Sequence, residues 1–424
     1  MKKVLTTFSL IVIFLFLLSI FGWIAVHISK DDKKFGFLTE PVKFMYTFPD
    51  LFSQSIKEVK TLPKTFVPTP EDFEPINNLD SDFIILSTYS DTSDSRSIVL
   101  LNLKNDSVLY KWTVKNPFEE HTRIQNPLVF PDKSLIYSFD GVSGLRRIDS
   151  LTNIIWKQDS VYAHHSMNLD SNGDIWICSF APTYYATGVY NLDGRSVFFK
   201  DNFISKIDAE TGRILFHKSM IEILKENKLS NYLLKSAVIK DPLHINDVQP
   251  ALKSTKYYKE GDLFISARSP SFIMHYRPSI NKVIKILEGS FVSQHDVDFL
   301  DDNSLVIFNN NYYEAWSNDS KPPPKDSSWL EIAGDFYSNI VHYDLENDRQ
   351  SFIGDSIFRA NEIFTYSEGL VEFIDPSRYF VEEQNTGLIW IIEDDKVLYK
   401  NVHKSQHEGY HHLPNWNRVI KNND

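Results

Sequence analysis

The sequence predicts an all-β chain, a six-bladed β-propeller carried behind an N-terminal transmembrane helix. Three observations carry that expectation. A hairpin with the same polar leader recurs along the chain, short β-runs alternate with Asp, Asn, Gly and Ser turns from Asp80 onward, and residues 4–26 are almost entirely apolar.

The apolar run comes first. It follows Lys2 and Lys3 and is long enough to span a bilayer, which takes ~20 residues, whereas a secretory core normally runs ~7–15. Ser19, Gly22 and Ala25 do not form a small-x-small cleavage site, so residues 1–29 read as an uncleaved anchor. Residues 30–79 mix charges with Pro41, Pro49, Pro63, Pro68, Pro70 and Pro75 and read as a stalk, with one short helix near 51–59. Residues 80–403 read as the propeller and 404–424 as a solvated tail. The 424 residues are 42% hydrophobic and 14% aromatic, enough for a sizeable core. A net charge of -12 without a Lys/Arg-rich run argues against a nucleic-acid partner. Cys178 is the only cysteine, so no intrachain disulfide can form.

The repeat emerges when hairpins are stacked. His164-His165-Ser166-Met167 leads into one, and Gln294-His295-Asp296-Val297 into another. Matching Met167 to Val297 places His165 on His295. A third begins His244-Ile245-Asn246-Asp247-Val248, and its returning strand ends Ser266-Ala267-Arg268. Later strands share an Ile-Asp-x-x-Thr pattern, as in 145–156 and 204–216. About six units fit between Asp82 and His403, at roughly 54 residues each, within the usual ~4–8 blades. Residues 220–234, helical in composition, and 318–328, with Pro322 to Pro324, read as insertions.

In an up-and-down blade, the start of the inner strand and the end of the second strand share one rim. His165, His244, His295 and Arg268 therefore converge on one channel mouth. Arginine grips an oxyanion with paired hydrogen bonds, and histidine attacks or moves protons near neutral pH. Together they suggest group transfer of an anion. The same rule places Asn309, Asn310 and Asn311 near His295, and Tyr184 and Tyr185 near His165. His164 either faces the channel itself or caps a turn. His403, His407, His411, His412 and Glu408 near the C-terminus lack helical ligand spacing because Gly409 and Pro414 intervene, and no metal site is expected there or elsewhere.

The His164-His165 pair, Asp241-Pro242-Leu243-His244-Ile245-Asn246-Asp247, Ile265-Ser266-Ala267-Arg268 and Ser293-Gln294-His295-Asp296 together resemble the arylsulfotransferases, six-bladed propellers of bacterial periplasms. The resemblance is closest over residues 120–312. It implies transfer of a sulfuryl group from a phenolic sulfate ester to a phenolic acceptor, with no nucleotide sulfate donor and no cofactor. It implies His295 as the nucleophile that forms a sulfohistidine, and His165, His244 and Arg268 as groups that hold the sulfuryl oxygens. His164, Asn309, Asn311 and Tyr184 are the expected substrate contacts. The partners are then an aryl sulfate, a phenol and, through the anchor, a membrane, with the propeller on the extracytoplasmic, periplasmic side. The family pattern commonly has an acid after the histidine pair, where this chain has Ser166. Two other readings use the same residues: a non-catalytic propeller binding a small anion or a protein partner, and a hydrolase or lyase of another ester.

Overall fold

The computed structural model describes residues 2–30, 35–36, 39, 41–42, 44–45, 65–180, 188–192, 195–236, 238–312 and 337–421. The chain divides into two compact units, Met1–Leu62 and Pro63–Asp424. In the first, Lys2–Lys30 is one α-helix, and its stretch Thr6–Ile28 is long and apolar enough to cross a membrane. The short helix expected near 51–59 lies outside the described residues.

The second unit is an all-β propeller of antiparallel sheets. Strand formation follows composition. Second strands such as Ile175–Phe180 and Ser304–Asn309 are buried along their whole length, so they are apolar runs without alternation. Outer strands such as Lys282–Leu287 alternate. The turns between them are set by aspartates. Asp208 Oδ1 accepts from the backbone N–H of Glu210 and of Thr211, each at 3.0 Å. Gly212 closes that turn at φ +72°, where a Cβ would lie 2.6 Å from the Trp156 ring, so glycine is required twice over.

Among the described residues, five sheets are four-stranded blades. Their orders are Tyr162–Leu169, Ile175–Phe180, Phe203–Ile207, Ile214–Ser219; then Ile245–Pro250, Leu263–Ala267, Phe272–Arg277, Lys282–Leu287; then His295–Phe299, Ser304–Asn309, Asn339–Asp344, Arg349–Ile353; then Leu128–Val129, Leu135–Tyr137, Arg146–Ile148, Ile154–Lys157; and lastly Arg418–Val419, Ile84–Ser90, Ser95–Asn102, Ser107–Lys115. The expected count of six such blades is thus corrected to five. The last stretch of the repeat instead joins a seven-stranded sheet, running from Leu370–Phe373 through Arg378–Glu383, Leu388–Glu393 and Lys396–Lys404 to Tyr410–His412 and Phe66–Pro68, with Ile76–Asn77 also on Lys396–Lys404. The physical reason is edge protection: a nine-residue outer strand exposes a row of backbone groups, and these short strands cover it.

The same pairings revise the expected stalk and tail. Phe66–Pro68 and Ile76–Asn77, in the former, are strands. In the latter, Arg418–Val419 pairs with Ile84–Ser90, so strands from both chain ends close the ring. His411 and His412 are buried rather than solvated: His411 lies 2.8 Å from the Thr386 carbonyl and 2.9 Å from Thr69 Oγ1, and His412 packs on Tyr89 at 4.0 Å. The insertion at 220–234 is the helix Met220–Glu226 followed by the 3-10 turn Ser230–Lys235. The Pro322 to Pro324 insertion lies outside the described residues. Apolar side chains pack between neighbouring sheets; Trp176, Cys178 and Ile204 of one meet Ile245, Ile265 and Met274 of the next.

The inner strands are tied to one another by a belt of side-chain bonds. Met167 N–H donates to Asn126 Oδ1 at 3.0 Å and Val248 N–H to Ser166 Oγ at 3.2 Å. Val297 N–H donates to Asp247, Val371 N–H to Asp296 and Val419 N–H to Glu372, each at 2.9 Å. Ser166, Asp247 and Asp296 therefore occupy one repeat position, and the residue before each is His165, Asn246 or His295. This register supports matching His165 to His295. It also explains Ser166: its hydroxyl makes the bond that the acid makes in the next two sheets, so the strand is held without a further carboxylate.

Candidate active site

Each histidine is delivered by an irregularity in an inner strand. The pairing with the second strand slips between His164 and Met167, between Ile245 and Asp247, and between His295 and Val297. His165 (φ 57°) and Asp296 (φ 58°) adopt left-handed backbone at these slips, and His244 (φ 43°) does so just before its strand begins. Such conformations cost about 1–3 kcal/mol each in non-glycine residues and persist where surrounding structure enforces them. The bulges re-aim side chains that regular pleating would send elsewhere.

The result is a cluster. The His165 and His295 rings are nearly parallel with centroids 5.9 Å apart, and His244 stands edge-on to His165 at 5.3 Å. One ring nitrogen from each of the three lies within 4.8 Å of the others. Arg268 is beside them: its backbone N–H donates to the His244 carbonyl at 3.1 Å, and its charge is felt at His295.

Polar partners fix which nitrogen faces inward. His295 Nδ1 donates to Asn310 Oδ1 at 2.7 Å. Asn310 Nδ2 in turn donates to the carbonyls of Thr365 (2.9 Å) and Glu368 (2.7 Å), which sets the amide orientation. The lone pair of His295 is then on Nε2, where the Glu368 N–H approaches at 3.3 Å. His244 Nδ1 sits 2.9 Å from Asp241 Oδ2, leaving its Nε2 free for the cluster. His165 is held through its backbone, whose N–H donates to Asp140 Oδ1 at 3.2 Å, and its Nδ1 lies 3.2 Å from His164 Nδ1.

Electrostatics follow from enclosure. Burial, then the Arg268 charge, pushes His295 well below the usual imidazole range. Burial and the neighbouring histidines do the same to His165, and burial and Lys200 to His164. All three are neutral at pH 7 and keep a lone pair. Burial by itself would raise Asp241, but its hydrogen-bonded contact with the His244 ring, the Asn202 amide and the Lys200 charge hold its carboxyl low.

The structure sorts the expected residues. His165, His244, His295 and Arg268 come together. His164 is adjacent but stacks flat on Phe180 at 3.9 Å, behind His165. The Asn309 amide is engaged within the fold: its Oδ1 accepts from the N–H groups of Val292 and Asn311, and its Nδ2 donates to Asn339. The Asn311 side chain donates to the Tyr337 carbonyl at 3.3 Å and its backbone N–H to the Val292 carbonyl. The middle residue, Asn310, is the one that reaches His295. Tyr184 lies outside the described residues.

Five neighbours were not singled out from sequence. Trp416, from the supposed tail, stands edge-on to His165 at 5.6 Å and to His295 at 6.3 Å, with Nε1 bonded to the Gly369 carbonyl at 2.8 Å. Glu368 receives both guanidinium arms of Arg123, one at 2.9 Å, and Gln125 at 3.0 Å. Asp140, which accepts the His165 backbone N–H, is the fifth. No local motif marks any of them; the ring closure and two loops bring them in.

Such a cluster can present a neutral nitrogen nucleophile to an anion that a buried guanidinium and adjacent imidazoles hold. Comparison with known proteins identifies a family. The family model described as arylsulfotransferase (ASST) matches residues 126–400. Among curated proteins none matches the chain. Of solved structures, a protein of unknown function from Bacteroides caccae is similar at 9% identity over 80% of this chain and 99% of that one, with TM-score 0.50, which supports the fold alone. A chain of a nidogen/laminin complex (7%, 80% and 98%, TM-score 0.41) and a streptogramin B lyase (12%, 82% and 90%, TM-score 0.39) are more distant. With well over half its length matched, and with the motif histidines gathered at one place, the chain belongs to the arylsulfotransferase (ASST) family.

Proposed function

We propose that the protein transfers a sulfuryl group from a phenolic sulfate ester to a phenol through a covalent intermediate on His295. The observation that carries this is the His295 ring itself: buried, neutral, locked by Asn310 with its lone pair on Nε2, and close to Arg268 and two further imidazoles. Nε2 attacks sulfur, the S–O bond to the aryl group breaks, and the phenolate leaves. In the second half-reaction the acceptor oxygen attacks sulfur, the N–S bond breaks, and His295 recovers its lone pair. Arg268 and His165 hold the sulfuryl oxygens, whose charge is spread in the transition state. His244 takes the acceptor's proton, since Asp241 at 2.9 Å stabilises the imidazolium that forms. The N-terminal helix serves as the anchor and holds the propeller on the extracytoplasmic side.

The test is the full chain with a chromogenic phenyl sulfate, with and without a phenol. Phenol-dependent release and a sulfuryl adduct on His295 by mass spectrometry are expected. Substitution His295→Asn should lower turnover by more than about a thousandfold with the fold intact, as for loss of a nucleophile. Unchanged turnover in that variant would reject the assignment.

A second reading rests on one observation, the 4.8 Å spacing of the three ring nitrogens, which is also compatible with a zinc-type ion held by three imidazoles. Release of phenol without acceptor, abolished by chelator and restored by zinc, is its signature.

A further inference from the structure

The loop that carries Glu368 is tied down on both flanks, and one donor on it faces the reacting nitrogen. Glu368 adopts left-handed backbone at φ 56°, a conformation that surrounding structure must enforce in a non-glycine residue. Its carboxylate takes both guanidinium arms of Arg123 and the Gln125 amide, and its carbonyl accepts from Asn310 Nδ2 at 2.7 Å. On the N-terminal flank, Asn385 Oδ1 accepts from Thr365 Oγ1 at 2.5 Å and from the Ser367 N–H at 3.2 Å. On the other flank, the Gly369 carbonyl accepts from Trp416 Nε1 at 2.8 Å. Gly369 itself sits at φ +85°, where a Cβ would lie 2.6 Å from the Phe308 ring, so the chain has no freedom there either.

With its carboxylate and carbonyl engaged elsewhere, Glu368 meets His295 through its backbone N–H, which lies 3.3 Å from Nε2. That contact is a weak one, since N–H donors normally sit ~2.7–3.2 Å from an oxygen acceptor. It also cannot outlast the first chemical step. When Nε2 gives its lone pair to sulfur, the N–H loses its acceptor, and the acceptors that arrive at the same place are the sulfuryl oxygens. A buried N–H without a partner is unfavourable, so the donor follows the charge onto oxygen.

Resting on the sulfuryl-transfer reading above, we propose that the Glu368 backbone N–H is a further catalytic group, an oxyanion donor to a sulfuryl oxygen in the transition state, with Arg123 as its positioning residue. In the attack, the Nε2 lone pair forms the N–S bond, the S–O bond to the aryl group breaks, and the phenolate leaves with its electron pair. The Glu368 proton stays on its own nitrogen throughout and only changes acceptor, from Nε2 to oxygen. When the acceptor phenol takes the sulfuryl group, the lone pair returns to Nε2 and the N–H returns to it. A weak resting contact is thereby exchanged for one to a charged oxygen, so the gain arises in the transition state and not on binding substrate. A donor fixed in advance needs no reorganisation at the moment of reaction, and the ties on both flanks of the loop supply that rigidity.

The experiment replaces the peptide bond between Ser367 and Glu368 by an ester in the full-length protein in detergent. That change removes the N–H and leaves the Glu368 side chain in place. Loss of one oxyanion donor lowers kcat by about a hundredfold or more, so kcat for a chromogenic phenyl sulfate should fall by that order, with KM changed less than about threefold. An N–H with a structural role alone would lower Tm and leave kcat per folded molecule within about threefold; that result overturns the proposal. The double variant Arg123→Met with Glu368→Gln removes the ion pair without leaving an unpaired charge. It should lower kcat at least about tenfold at little-changed KM, and an unchanged kcat in the folded double variant also overturns the proposal, which keeps the question decidable if the ester protein does not fold. Formation of the His295 adduct is measured in the unaltered protein in parallel. Its absence rejects the transfer reading and this inference with it, whereas an adduct together with an indifferent ester rejects this inference alone.

Discussion

Substitution Asn310→Ala tests whether His295 works because its tautomer is fixed. Asn310 is fully buried and makes three hydrogen bonds, one to His295 Nδ1 (2.7 Å) and two to the carbonyls of Thr365 and Glu368. Each is worth about 1 kcal/mol net, so denaturant unfolding should show a loss of roughly 2–4 kcal/mol. The kinetic effect comes from one bond alone. Losing about 1–2 kcal/mol of preference for the Nδ1–H tautomer, at tenfold per ~1.36 kcal/mol, lowers kcat/KM for aryl sulfate about five- to thirtyfold. A destabilised but otherwise normal enzyme would also lose activity, so the pH profile is the discriminating readout. The Asn310 bond favours the protonated ring and partly opposes the effect of burial. Its removal should move the acid limb to lower pH. The argument fails if kcat/KM is unchanged in folded protein, or if the acid limb moves upward.

In the unmodified protein, burial of His165 and His295 disfavours the imidazolium, so protonation requires more acid than for a free imidazole. The kcat/KM profile should stay flat from pH 7.5 to about 6.5 and fall only below that, the ordinary histidine value; an acid limb centred at or above it contradicts neutral buried rings. Ser166→Ala leaves the Val248 N–H without its belt acceptor and should cost about 1–2 kcal/mol in urea unfolding, with kcat changed less than about twofold. Gly212→Ala brings a methyl group against Trp156 at a left-handed position, and a Tm drop of several degrees is expected, equivalent to about 1–3 kcal/mol; no change would mean that the turn relaxes freely.

Much of the candidate site was legible because propeller repeats convert sequence register into position. His165 and His295 share a repeat position, and Arg268 closes the strand that returns beside His244, so topology brought them to one rim. The rule was coarser than a side chain. It delivered Asn309, Asn310 and Asn311 together, and only the pleat and the turn decided that Asn310 faces His295 while its neighbours bond the loop. The left-handed residues at the bulges are equally invisible, since nothing in His-His-Ser distinguishes a bulge from a regular strand.

The amino-acid sequence by itself determined the β-architecture, the apolar N-terminal helix and the identity of the histidine and arginine cluster. These depend on local periodicity, turn chemistry and a repeat, all of which are written within about one hairpin. Tertiary structure alone decided the blade count, the burial of His411 and His412, and the arrival of Trp416 beside two histidines separated from it by more than a hundred residues. Those outcomes depend on ring closure by Arg418–Val419 and on which short strands cover an exposed edge. Edge pairing is backbone hydrogen bonding, which any residue but proline can donate, and so it leaves little trace in side-chain identity.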